Sequence, residues 1–169
     1  MNIYPKLYLD KVTSIDIELL KKLDIKGLIL DVDNTLIDYS KNLLEGAKKW
    51  CENLKKHGIV FCIASNSNNE KKLEDVSKAL GIPYVAFSMK PFSKGLLKAK
   101  KIINMENKDI AVVGDQIFTD VMGANNLGMF SILTQVISEK EGILTKIKRP
   151  IEKKIIDKYL KMNKQNSKE

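Results

Sequence analysis

The sequence predicts a three-layer α/β fold, a parallel sheet doubly wound by helices, and two observations lead there. Short unbroken apolar runs rich in Val and Ile recur along the chain, as strands covered on both faces require. Amphipathic stretches with helical spacing lie between them, and alternating strand and helix implies right-handed crossovers within one sheet. At 169 residues, 44% hydrophobic and 30% charged, the chain is expected to fold as a single domain over residues 1–169 with a core of its own.

Taken in order, Ile15 to Leu23 reads as a short amphipathic helix packed on the sheet. Gly27 to Leu30, with Ile25 before it, is the first strand. Leu43, Leu44, Ala47, Trp50, Cys51 and Leu54 share a helical face, so a helix is expected from near Lys41, stopped by Gly58 with the lone His57 in its last turn. Ile59 to Ala64 is the next strand. Leu73, Val76, Ala79 and Leu80 mark a helix before Gly81 and Pro83, and Tyr84 to Phe87 a short strand. Leu96, Leu97, Ala99, Ile102 and Ile103 form another helix, Ile110 to Val113 a strand, Val121, Ala124 and Leu127 a helix stopped by Gly128, and Met129 to Leu133 the last strand. The core is thus expected over about 25–135. Beyond it, Ile151, Ile155, Ile156, Tyr159 and Leu160 stripe an amphipathic helix over 150–162, and the polar tail 163–169 is expected to be disordered.

Composition bounds the partners. The net charge of +8 invites nucleic acid or an anionic membrane. Every basic residue except Arg149 is lysine, however, and bidentate phosphate recognition favours Arg. Charge therefore plays a supporting part, and nucleic acid is not expected. Cys51 and Cys62 lack metal-binding spacing and read as reduced core thiols. No apolar run approaches the roughly 20 residues of a membrane helix, and the first residues lack the zones of a secretory signal. Residence in the cytoplasm is the expectation.

Chemistry belongs at the carboxyl ends of such strands. The first strand runs into Asp31-Val32-Asp33-Asn34-Thr35-Leu36, two carboxylates on one side of an extended backbone. Like charges that close need a cation or a proton between them. The second strand ends in Ser65-Asn66-Ser67, which offers a hydroxyl and backbone N–H groups before a helix, although helix capping explains such residues equally well. Lys90-Pro91 follows the short strand, and Gly114-Asp115-Gln116-Ile117-Phe118-Thr119-Asp120 follows the next. Asp115 is the firmer candidate there, because Asp120 sits where a helix cap would.

Asp-x-Asp, then Ser, then Lys-Pro, then Gly-Asp with a further Asp, each at its own strand end, resembles the haloacid dehalogenase (HAD) superfamily over about Gly27 to Leu133. That resemblance implies a Rossmann-like sheet and an aspartyl-phosphate mechanism. It makes Asp31 the nucleophile and Asp33 the acid and base, with Ser65, Asn66 and Lys90 binding the phosphoryl group. Mg2+ would be held by the Asp31 side chain, the Asp33 carbonyl and Asp115, with Asp120 supporting the site or contacting Lys90. Asp at position 33 is the pattern of the superfamily's phosphatases. A receiver domain carries similar groups in a different strand order. A non-catalytic scaffold of the same fold has no need of mutually repelling carboxylates.

Only a short flap, Asn34 to Ser40, follows the first motif, and one helix and one strand separate Asn66 from Lys90. No cap domain fits, so an open site is expected. It suits a protein, nucleic-acid end or lipid headgroup, or a small metabolite if a second copy covers the pocket. The leader Pro5 to Leu9, the Asp31 run, Ala64-Ser65-Asn66 and above all the 114–120 run resemble the YqeG branch of capless, subclass IIIA phosphatases. Relatives there act on phosphatidylglycerophosphate, which implies an anionic phospholipid at a membrane surface as substrate and peripheral placement on the inner face. A soluble phosphoprotein, nucleotide or sugar phosphate is the alternative. The 150–162 helix could lie in the membrane interface or pack on its own domain, and the second is the commoner fate. The 138–149 segment could line the entrance to the site.

Overall fold

Four consecutive fully buried residues, Gly27–Leu30, form the central strand of a six-stranded sheet in which every pairing is parallel. The structure, a computed structural model, describes residues 2–138 and 143–166. Its strands are β1 (Leu7–Leu9), β2 (Gly27–Leu30), β3 (Val60–Ala64), β4 (Tyr84–Val85), β5 (Ile110–Gly114) and β6 (Phe130–Thr134), in the order β1-β6-β5-β2-β3-β4. Helices α1 (Ile17–Lys22), α2 (Ala47–Lys56), α3 (Glu70–Leu80), α4 (Ser93–Ile103), α5 (Met122–Asn126) and α6 (Ile143–Asn166) complete the three layers.

Alternation along each strand sorts the core into two faces. Leu28, Leu30, Phe61, Ile63, Ala111, Val113 and Ile132 pack with Leu20, Cys51, Leu54, Leu73 and Val76 of α1–α3. Ile29, Cys62, Ala64 and Val112 point the other way, onto Leu96, Ala99 and Ile103 of α4 and Ala124 of α5. Asp16 caps α1 by accepting from the Leu19 N–H at 2.8 Å. Trp50 bridges α2 to the chain before α1, donating to the Ile15 carbonyl at 2.6 Å and meeting the Phe61 ring edge-on at 5.6 Å. Both cysteines are buried and unpaired.

Three expectations change. Leu43 and Leu44 do not begin a helix: the Leu44 N–H bonds the Leu36 carbonyl at 2.8 Å, so residues 36–44 close a small hairpin, and α2 starts only after Gly46. Gly46 sits at φ 79°, where other residues strain, and this turns the chain from flap to helix. The leader supplies an extra edge strand, β1, on β6. Finally, the C-terminal helix spans Ile143–Asn166, with Pro150 inside it, so it exceeds 150–162 at both ends and takes up 163–166 of the tail expected to be disordered. The rest of that tail, 167–169, lies outside the described residues, as does 139–142 of the segment expected at the site entrance. Ile155 and Ile156 of α6 pack against Ile117, Val121 and Leu133, so the inner face of this helix is on its own domain. Among the described residues no helix is long and apolar enough to cross a membrane.

Candidate active site

Parallel register brings the motif residues level. Leu30 pairs with both Ile63 and Val113, so the residues that follow, Asp31, Ala64-Ser65 and Gly114-Asp115, leave the sheet side by side. Past Asp31 the chain winds into a tight turn in which the Val32 carbonyl receives the N–H groups of Thr35, Leu36 and Ile37. Asp31 is buried, whereas the Asp33 side chain is half-exposed.

Lys90 lies at the centre, its side chain 1% exposed. Its Nζ is 2.6 Å from Asp31 Oδ1 and 2.6 Å from Asp120 Oδ1. The Asn66 side chain aims it: Oδ1 accepts from the Lys90 N–H at 2.7 Å and from Ser88 Oγ at 2.8 Å, and Nδ2 donates to the Lys90 carbonyl at 2.9 Å. The amide of Asn66 is therefore occupied in bracing the lysine loop. Ser65 is buried at the end of β3, and its Oγ accepts from the Ser67 N–H at 3.1 Å, which leaves the hydroxyl proton to donate.

Across from Lys90, the residue after β5 is the buried Asp115, and a π turn, Ile117–Val121, brings Asp120 back. Asp120 Oδ2 accepts from the Gln116 N–H at 3.1 Å. This return needs glycine at 114, because a Cβ there would overlap the Asp120 carboxylate. Carboxylate oxygens of Asp31, Asp115 and Asp120 lie within 4.8 Å of one another. Burial pushes the Asp31 carboxyl up to about 7; Lys90 opposes the rise, and Asp120 and Asp33 add to it. Burial, then Asp31 and Asp120, hold Asp115 well above the usual carboxylate range against the pull of Arg149. Burial disfavours the Lys90 ammonium, but Asp120 and Asp31 outweigh it and its pKa rises.

These residues fit a divalent cation. Three buried carboxylates face the Lys90 ammonium and the Arg149 guanidinium, which leaves excess negative charge, and Asp115 Oδ1 is a buried oxygen with no hydrogen-bond partner among the described residues. Hard oxygen donors of this kind suit a hard dication.

Sequence reasoning missed three participants. Arg149 of α6 donates through Nη1 to the Asp115 carbonyl at 2.7 Å and through Nη2 to Asp115 Oδ2. Glu152, 2% exposed, accepts the N–H groups of Ile117 and Phe118 at 2.8 and 3.2 Å and pairs with Arg149 at 3.1 Å. The one arginine of the chain, followed three residues later by an acid within an apolar stripe, was the available signal. The third is Lys72 of α3, whose Nζ lies 2.7 Å from both carboxylate oxygens of Asp33. One lysine among so many carried no signal.

Strand-end carboxylates converge here on a buried lysine in a parallel α/β sheet, and the proteins that this chain matches in sequence are phosphatases. The sequence profile of the family described as "Mitochondrial PGP phosphatase" matches residues 1–139. The chain is 35% identical over 153 residues to "Probable phosphatase YqeG" of Bacillus subtilis (strain 168), covering 90% of this chain and 88% of that one. It is 25% identical over 171 residues to "Phosphatidylglycerophosphate phosphatase 1, chloroplastic/mitochondrial" of Arabidopsis thaliana, covering 94% of this chain and 49% of that protein. A HAD-superfamily hydrolase from Ehrlichia chaffeensis shares the fold at TM-score 0.57 and 20% identity, over 64% of this chain and 87% of that one. The chain belongs to the PGP phosphatase family.

Proposed function

We propose that the protein hydrolyses phosphatidylglycerophosphate to phosphatidylglycerol and inorganic phosphate, with Asp31 as nucleophile and Mg2+ as cofactor. The observation that carries the mechanism is the buried Asp31 carboxylate held 2.6 Å from Lys90 at the carboxyl edge of the sheet, with the half-exposed Asp33 above it. Asp31 attacks phosphorus as the bond to the leaving oxygen breaks, and Asp33 gives that oxygen its proton. Asp33 then takes a proton from water as the water oxygen attacks phosphorus and the bond to Asp31 breaks, releasing phosphate. Ser65 and the Asn66 backbone hold phosphoryl oxygens, and Lys90 offsets their charge. Mg2+, held by Asp31, Asp115 and the Asp33 carbonyl, would supply further charge neutralisation.

For the lipid, support comes from the family description and the Arabidopsis relative. Further support is local: Phe87, Met89 and Phe92 are exposed on the loop that carries Lys90, where a peripheral protein working from the cytoplasmic side would meet a bilayer. The test is phosphate release from lipid in mixed micelles against nucleotide, sugar and peptide phosphates, with Mg2+. Turnover of the lipid well above the rest is expected. Release from soluble esters alone would sink the lipid assignment and leave the phosphatase.

A further inference from the structure

Lys72 is fixed beside the acid of the reaction, and its location has a consequence for substrate choice. Among the described lysines in ion pairs, Lys90 and Lys72 have the least exposed side chains, at 1% and 10%. Asn69, the cap of α3, accepts from the Lys72 N–H at 3.0 Å, so the lysine leaves the first turn of the helix from a set backbone. Its ammonium meets both oxygens of Asp33 at 2.7 Å. An ammonium has three N–H donors, and the remaining one donates to no described residue. As a stability device the bridge is poor, because Asp33 is 52% exposed and ion pairs at such sites contribute little.

We propose that Lys72 is a leaving-group subsite that selects phosphomonoesters carrying a second anionic group one glycerol unit from the scissile oxygen. The inference rests on the reading of Asp33 as the acid that protonates that oxygen. Asp33 must then lie within hydrogen-bond reach of the leaving oxygen, which puts the Lys72 ammonium within about 6 Å of it, two hydrogen-bond lengths. In an extended glycerol the scissile oxygen and the second phosphorus are also about 6 Å apart, from bonds of about 1.5 Å at tetrahedral angles. The spans match, so a phosphodiester extended from the leaving oxygen toward α3 meets the ammonium while the phosphomonoester is on Asp31. A neutral leaving group gains nothing there.

Two soluble esters isolate the effect: the deacylated headgroup glycerophosphoglycerol phosphate, which keeps the diester, and glycerol 3-phosphate, which lacks it. The wild-type protein should show a KM at least about tenfold lower for the first, the worth of one charge-assisted hydrogen bond. Lys72→Met should erase that difference by raising the KM of the diester-bearing compound, while kcat falls for both as Asp33 loses its anchor; Lys72→Arg should restore much of the preference. Calorimetric binding of the two esters to Asp31→Asn protein, with Lys72 or Met, gives the same comparison without turnover. Equal KM values in the wild type, or an equal rise for both in Lys72→Met, would overturn the subsite and reduce Lys72 to a positioning residue for Asp33. A Lys72-dependent preference between the soluble esters, without hydrolysis of the lipid in micelles, would uphold the subsite and remove the lipid assignment.

Discussion

Replacing Glu152 by Ala tests how far the active site depends on a helix outside the motif-bearing core. The substitution strips the Ile117 and Phe118 N–H groups of their acceptor and leaves Arg149 without its carboxylate partner on α6. Each lost bond to a charged acceptor costs about 1.5–3 kcal/mol when the donor stays buried. Ile117 is fully buried, Phe118 only partly, and the Arg149 side chain is 22% exposed, so solvent softens the last two losses. A sum of about 4 kcal/mol follows, equivalent to a fall in Tm of about 10 °C for a chain of this size. The same change frees the 115–118 loop, and loss of the groups that orient a metal ligand weakens metal affinity about 10–100-fold. Circular-dichroism melting with and without Mg2+, together with calorimetric titration of Mg2+, reads both effects. Glu152→Gln keeps an acceptor oxygen and should lose a fraction of each. A Glu152→Ala protein melting within about 2 °C of wild type and binding Mg2+ with unchanged affinity would refute the coupling of α6 to the loop.

Asp31→Asn should abolish phosphate release and the stabilisation by Mg2+ while leaving the metal-free Tm no lower, since it relieves crowding among buried carboxylates; a Tm drop of several degrees would contradict that electrostatic account. The pH dependence has a definite sign. Asp31 has a folded pKa of about 7, above its unfolded value of about 3.9, so metal-free stability from this group is lost as pH rises between them. Mg2+ must displace that proton, so the Tm gain on adding Mg2+ should be larger at pH 8 than at pH 6, and a pH-independent gain would exclude Asp31 as a ligand. Gly114→Ala forces a methyl into the Asp120 carboxylate and should lower Tm by about 5 °C, the cost of overpacking, with loss of phosphate release; wild-type activity would show that Asp120 need not sit on Lys90.

What the sequence made legible and what it hid divide along one physical line. Strands such as Leu28–Leu30 and Ala111–Val113 are buried on both faces, so their apolar runs stand out, and residues at their ends inherit positions from the sheet. Asp31 and Asp115 stand out in this way, whereas Lys90 follows the two-residue β4 by five residues and is marked only by its place before Pro91. The hairpin at 36–44 was misread because Leu43 and Leu44 lie at helical spacing from Ala47, while the bond that decides the matter joins Leu44 to Leu36 across the flap. β1 is three half-buried residues on a sheet edge and has no run to notice. Lys72 acts across 39 residues through a side chain that a local pattern reads as ordinary surface, and Arg149 and Glu152 act across 34 and 35, with only an acid set in an apolar stripe to mark them.

The brace that α6 places on the loop after β5 also bears on the order of events during synthesis. Every motif carboxylate lies before residue 121, and the residues that hold Asp115 and its loop come at 149 and 152. Chains emerge from the ribosome N-terminus first and begin to fold as they do. A nascent chain can therefore assemble the sheet and bring Asp31, Lys90 and Asp120 together before the brace on Asp115 exists. On the proposed mechanism, full affinity for the cation should therefore arrive last, when α6 docks on the loop after β5.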